Sequence, residues 1–252
     1  APGGNVFSAI PNGAYEQTSG TSMATPQMSG ISAIVLQRVQ SDPLFASMSA
    51  REKVDVVQDL IMGTARPLTD ASQGSGALYS PRKQGAGLVD ALAATTSSVY
   101  PTVKGASEVS RPKADLGDGT TGWHFDVVLH NLSDAEATYE LGSQALSEIV
   151  DGGFFKEHSS DWRGRGVAVS YSGAASGAGE GATVTVPAGG EAMVGVDIAP
   201  GSEFAQYVAD NVPSGTFLDG FVRFTSRTET QPSLTVPYLG FYGDWGKPAI
   251  FD

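Results

Sequence analysis

The chain has no cysteine. That removes disulfides, thiolate metal ligands and cysteine nucleophiles together, and it suits a cytosolic protein or a secreted one that does without disulfides. It also lacks any apolar run long enough to cross a membrane. Its first residues, Ala1-Pro2-Gly3-Gly4, do not have the charged-then-apolar form of a signal peptide. Positive charge is scarce: 15 Lys/Arg stand against 27 Asp/Glu, a formal net charge of −12. The deficit is uneven, with six Lys/Arg and seven Asp/Glu in residues 1–100 but nine and twenty in residues 101–252. An acidic surface repels phosphate backbones and anionic lipid, so nucleic acid and membrane surfaces are disfavoured as partners. The contrast between the halves points to two domains. Histidine occurs only three times, at 124, 130 and 158.

What is present suffices for packed cores. The 252 residues are 40% hydrophobic, and 32 Gly with 14 Pro favour many turns over a helical bundle. Residues 21–40 are nearly all small or apolar, with Ile31, Ile34, Val35 and Val39 at helical spacing and Asp42-Pro43 blocking continuation. This reads as a helix buried on most sides. A second helix opens at the capping-box spacing Ser49-Ala50-Arg51-Glu52, carries the stripe Val54, Val57 and Ile61, and is expected to run to Ile61 or Met62. A loop over 69–81 and a short helix over 89–95 follow. From 101 onward the period becomes two: Trp123, Phe125, Val127 and Leu129 alternate with His124, Asp126, Val128 and His130. Similar runs at 137–141, 167–171, 183–186, 193–198, 221–225 and 234–238 predict a β-sandwich without helices. Residues 173–181, GAASGAGEG, read as a mobile hairpin loop.

Chemistry concentrates at Thr18–Gly30, TSGTSMATPQMSG. A helix starting there presents unpaired backbone N–H groups and the positive end of its dipole. A serine at that place can attack a carbonyl while its own N–H holds the developing oxyanion. Gly20 leaves room for a substrate backbone, and Pro26 is expected in the first turn, where its missing donor costs little. Ser or Thr at such a spot otherwise serves as an ordinary helix cap.

The string Gly20-Thr21-Ser22-Met23-Ala24-Thr25-Pro26, with Ser29-Gly30 after it, resembles the active-serine segment of subtilisin-like serine proteases. Residues 1–15 are similar to the strand and loop preceding that segment, and Gly85-Ala86-Gly87-Leu88-Val89-Asp90-Ala91 to a segment near the end of the protease domain. Ser80–Asp90 and Val236–Trp245 resemble the large cell-envelope proteinases of Gram-positive bacteria, the group of lactocepin and the streptococcal complement-cleaving peptidase. The resemblance implies part of an α/β subtilisin-like domain over 1–100, holding the nucleophile helix and the helices after it. An all-β, fibronectin type III-like sandwich would then fill 101–252. It implies a serine endopeptidase that works outside the cell at the envelope on protein or peptide substrates, without a cofactor. Ser22 would be the nucleophile and one oxyanion donor; Gly20 and Thr21 would shape the turn, and Met23 would stand beside the nucleophile, prone to oxidation.

In that family the aspartate, histidine and oxyanion asparagine all come before the serine. Residues 1–21 contain no His and no Asp, and Asn5 and Asn12 stand in no matching motif. The chain is therefore expected to be a C-terminal portion whose helix needs a parallel sheet from the upstream half of its own domain, and to be inactive by itself. The alternative is a non-catalytic interaction module with an acidic sandwich. Other signals have plainer readings. Asp115-Leu116-Gly117-Asp118-Gly119 reads as a turn, with structural calcium left open. Asn131-Leu132-Ser133 is a glycosylation sequon by pattern only. His124, His130 and His158 read as solvated strand residues, and Trp123, Trp162 and Trp245 as sandwich core or inter-domain packing.

Overall fold

The chain starts with a two-stranded antiparallel hairpin, β1 (Val6–Ile10) and β2 (Ala14–Thr18), turned by Pro11–Gly13 with Asn12 at φ 68°. In this computed structural model residues 1–71, 76–105 and 110–247 are described, except for the side chain of Glu157; part of the 69–81 loop lies outside them. α1 (Thr21–Ser41) follows at once and stops where Asp42 accepts the Leu44 N–H ahead of Pro43. α2 (Ala50–Gly63) opens on the expected capping box: Ser49 Oγ accepts the Glu52 N–H and the Glu52 carboxylate accepts the Ser49 N–H. Its buried face is Val56, Val57, Leu60 and Ile61, packed against Val35, Val39 and Phe45. Val54, expected in that stripe, is 48% exposed because it falls on the outer side of the crossing. α3 (Pro81–Gln84) is a single turn, and α4 (Ala91–Thr96) is capped by the Asp90 carboxylate, two residues later than the pattern suggested.

Two expectations for α1 fail. Pro26 is the sixth helical residue, beyond the first turn, so it withholds an N–H from the Ser22 carbonyl four residues earlier. Nor is the helix buried on most sides. α2 and α4 cover one flank, which buries Val35 and Val39, whereas Ser22, Pro26, Ser29 and Ala33 lie exposed along the other and Ile34 is 55% exposed. Small residues all round the helix hid this asymmetry from the periodicity.

Residues 99–242 form the sandwich. One sheet has the order β3 (Val99–Val103), β5 (Trp123–Asn131), β10 (Glu191–Pro200), β8 (Val167–Gly173). The other runs β4 (Ala114–Gly119), β12 (Leu234–Tyr242), β11 (Thr216–Ser226), β6 (Ala137–Asp151), β7 (Phe154–Asp161), with β9 (Thr183–Val186) also on β6. The two inner faces interdigitate through residues such as Val127, Leu129, Val194 and Val196 against Tyr139, Leu141, Val222 and Tyr238.

The sandwich departs from expectation in several places. A helix, α5 (Ser202–Asn211), interrupts it and buries Phe204 and Val208, with Phe204 against Trp162. The Asp115–Gly119 segment is part of β4, parallel to β12, and not a turn. Residues 173–181 are tied down: Tyr171 N–H donates to Ala178 O, Ser176 bridges Thr183, and Glu180 pairs with Arg163. Trp162 is core, but Trp245 is 62% exposed against Phe217 and Phe241. His130 is half-buried, stacked on Tyr100 at 4.7 Å between Thr102 and Glu191, and His158 meets a buried aspartate, so neither is simply solvated. Asn131 is buried and donates to the carbonyls of Ala135, Val186 and Pro187, which makes the sequon a structural asparagine.

The two units share an apolar contact. Tyr100 and Leu132 join the α1–α2 core, and Ala77 and Leu78 pack on Leu146 and Phe221. Gly63, the last residue of α2, lies so close to the Pro101 ring that a Cβ there would overlap it. Gly63→Val is therefore expected to destabilise the protein by about 1–3 kcal/mol through overpacking, read from the urea midpoint; an unchanged midpoint would mean that the ring yields freely.

Candidate active site

The serine-rich segment is positioned from below by the chain's first residues. Gly20 N–H donates to Gly3 O at 2.7 Å, and Gln27 Nε2 donates to Pro2 O at 2.9 Å, so the opening residues lie along the start of α1. Gly3 has to be glycine for this approach, since a Cβ would stand 2.6 Å from Gly20 O. The Ser19 hydroxyl accepts the Asn5 N–H at 2.9 Å. Gly20 itself is the helix cap: its carbonyl takes the N–H groups of Met23 and Ala24, at 3.1 and 3.3 Å.

Ser22 is thus not a cap but the second residue of the helix. Its N–H is one of the donors that a helix start leaves without an internal acceptor. Two hydroxyls farther along the helix are differently employed. Thr25 and Ser29 donate back to Thr21 O and Thr25 O, at 2.8 and 3.1 Å, as hydroxyls inside a helix do. The acceptor Ser22 would need for the same bond is outside the helix. Among the described residues its hydroxyl makes no hydrogen bond, and the residue is exposed. An unbonded hydroxyl next to an unbonded N–H, at the positive end of a 21-residue helix, suits nucleophilic attack with oxyanion support. Met23 is half-buried beside it.

No base stands beside this serine among the described residues. His124 lies between Asp197, at 2.8 Å, and Asp126, at 3.3 Å; the hydrogen bond to Asp197 raises its pKa. His130 and His158 have the partners already given, and none of the three shares a hydrogen bond with Ser22. Asn5 and Asn12 both sit at positive φ, in turn conformations. Among the described residues no three His, Asp or Glu side chains gather to hold a metal, and no helix is long and apolar enough to cross a membrane.

Residues 1–87 match the subtilase family, and residues 115–239 match the Fn3-like domain. The first part of this chain is a subtilase-like segment. Both matches agree with the architecture, the hairpin and α1–α3 falling in the subtilase segment and nearly all the strands of the sandwich in the Fn3-like region. The C5a peptidase of Streptococcus pyogenes is 29% identical over 98% of this chain and 19% of its own length. The PII-type proteinase of Lactococcus lactis subsp. cremoris is 30% identical over the whole of this chain and 13% of its own length. The chain therefore spans a fifth or less of these relatives. Among solved structures, the PapD-like domain 7 of human CEP192 overlaps 59% of this chain and 87% of its own at 11% identity and a TM-score of 0.37, too low for any argument. The subtilase segment is homologous to streptococcal and lactococcal proteases, and its serine-protease-like class follows from that. What the sequence could not convey is the division of labour among its hydroxyls, which depends on where the helix begins.

Proposed function

We propose that this chain is part of a serine endopeptidase of the cell envelope of a Gram-positive bacterium, with Ser22 as its nucleophile. Ser22 Oγ attacks a peptide carbonyl of a protein substrate, its N–H holds the oxyanion, and water hydrolyses the acyl-enzyme. Gly20 and Thr21 shape the entry turn. The proton acceptor, the aspartate that orients it and the oxyanion asparagine come from polypeptide other than residues 1–252, packed on the open flank of α1. One observation carries the reading: the exposed, unbonded hydroxyl on the second residue of α1 beside an unpaired N–H.

The test uses a fluorophosphonate probe and a casein-type substrate on two preparations. The chain by itself is expected to show neither labelling nor turnover. The same chain joined to the aspartate- and histidine-bearing half of a relative's protease domain is expected to label at Ser22 and to cleave. Turnover by the chain alone, or labelling of the joined protein elsewhere than Ser22, would overturn the assignment. A joined protein that folds, does not label and still binds basic proteins would favour an interaction module instead.

A further inference from the structure

Three carboxylates with no more than 4% exposure, Asp59, Asp70 and Asp219, all lie at the junction of the subtilase segment with the sandwich, and each faces a basic side chain of the opposite unit. Asp59 of α2 has Arg111 at 3.5 Å. Asp70, in the loop after α2, has His158 of β7 at 2.6 Å. Asp219 of β11 accepts Arg82 Nε and the Ser80 hydroxyl, both at 2.6 Å, from the start of α3. We propose that docking of the two units takes up protons, so that the junction tightens as the solution is acidified.

Geometry and charge count carry this. Arg111 also serves Asp55, at 2.8 Å, one turn before Asp59 on the same helix, while Arg51 reaches Asp55 from the solvent side. Arg82 also serves Glu148 of β6. Each of these two arginines is thus shared between two carboxylates. One oxygen of Asp59 and one of Asp219, Oδ1 in both, is buried without a hydrogen bond. The remaining neighbours add no fixed cation at either oxygen: Tyr100 of β3 stands near Asp59 and Tyr238 of β12 near Asp219. Lys83 and Lys156 line the cleft by Glu148 and His158, and Lys156 pairs with Asp151.

Burial acts in the same sense, pushing Asp59 up to about 7 and Asp219 to about 6 against the attraction of their arginines. A carboxyl whose pKa is higher docked than free binds its proton more tightly when docked. Its contribution is complete below the free value near 3.8 and is lost as the pH rises through 6 to 7.

Hydrogen exchange on this chain tests the proposal, comparing α2 and α3 with the central strands β5 and β10 after correction for intrinsic rates. From pH 8 to pH 5.5 the protection of α2 is expected to rise roughly 10- to 100-fold relative to the strands. Asp59→Asn should remove most of that rise and Asp219→Asn a smaller part. Because the two sites are separate, one variant decides if the other fails to fold. No relative rise, a fall, or a rise undiminished in the folded variants would overturn the proposal.

Discussion

Ser22→Ala, made in the protein joined to its histidine and aspartate, is expected to abolish turnover while leaving substrate affinity nearly intact. In subtilisin, removing the nucleophile costs about 2 × 10⁶ in kcat, and a loss of about 10⁵–10⁶ is expected for Ser22. The hydroxyl forms the covalent bond and does little to bind the ground state, so the effect falls on kcat and not on KM. Residual catalysis of about 10³–10⁴ over water should persist, because the backbone donors at the helix start are untouched by a side-chain change. Stability should hardly move: the hydroxyl is exposed and bonds to nothing. Thr25→Val is the matched control, since the Thr25 hydroxyl only bonds back to Thr21 O and should be worth less than tenfold in rate. If the two substitutions reduce kcat equally, Ser22 has no special role.

Arg82→Ala is expected to be the most damaging change away from the serine. The guanidinium neutralises the fully buried Asp219, pairs with Glu148 and lies over the Phe217 ring at 4.4 Å. Removing it strands a buried carboxylate, which typically costs about 3–5 kcal/mol. The loss must depend on pH. Asp219, already raised to about 6 by burial, rises further without its arginine, so at pH 5 it is neutral and much of the penalty disappears. At pH 8 the penalty stands in full. Urea denaturation at the two pH values reads the difference, and the double variant with Asp219→Asn should lose less at pH 8 than Arg82→Ala alone. Equal losses at pH 5 and pH 8 would mean that Arg82 acts through packing and not through charge.

Both expectations arise from residues the sequence treats very differently. Ser22 sits in a dense local motif, and its candidacy is legible from Gly20 to Pro26 alone. Arg82 and Asp219 stand 137 positions apart with nothing in the intervening pattern to join them. The same divide runs through the fold. The capping box at Ser49 and Glu52, the alternation over 123–131 and the strand at 183–186 are short-range signals, and each appears in the structure. β4 reads as a turn in the sequence because its Asp and Gly residues are poor strand formers; its parallel pairing with β12, more than a hundred residues onward, overrides that preference. α5 leaves no such signal: its ten residues follow a strand without a capping side chain, and Phe204 packs on Trp162 and on Tyr242 of β12.

By itself, then, the sequence determined most of the helical and extended segments, that the acidic half is a sandwich, and which serine is the candidate nucleophile. All of these depend on spacing within a few residues, where backbone geometry sets the period. Only the tertiary structure decided that α1 keeps one flank open, that the Ser22 hydroxyl is left unbonded while those of Thr25 and Ser29 are occupied, and that the buried acids among the described residues face the junction. Those outcomes depend on which distant surfaces meet, and on the cost of withdrawing charge from water where they do.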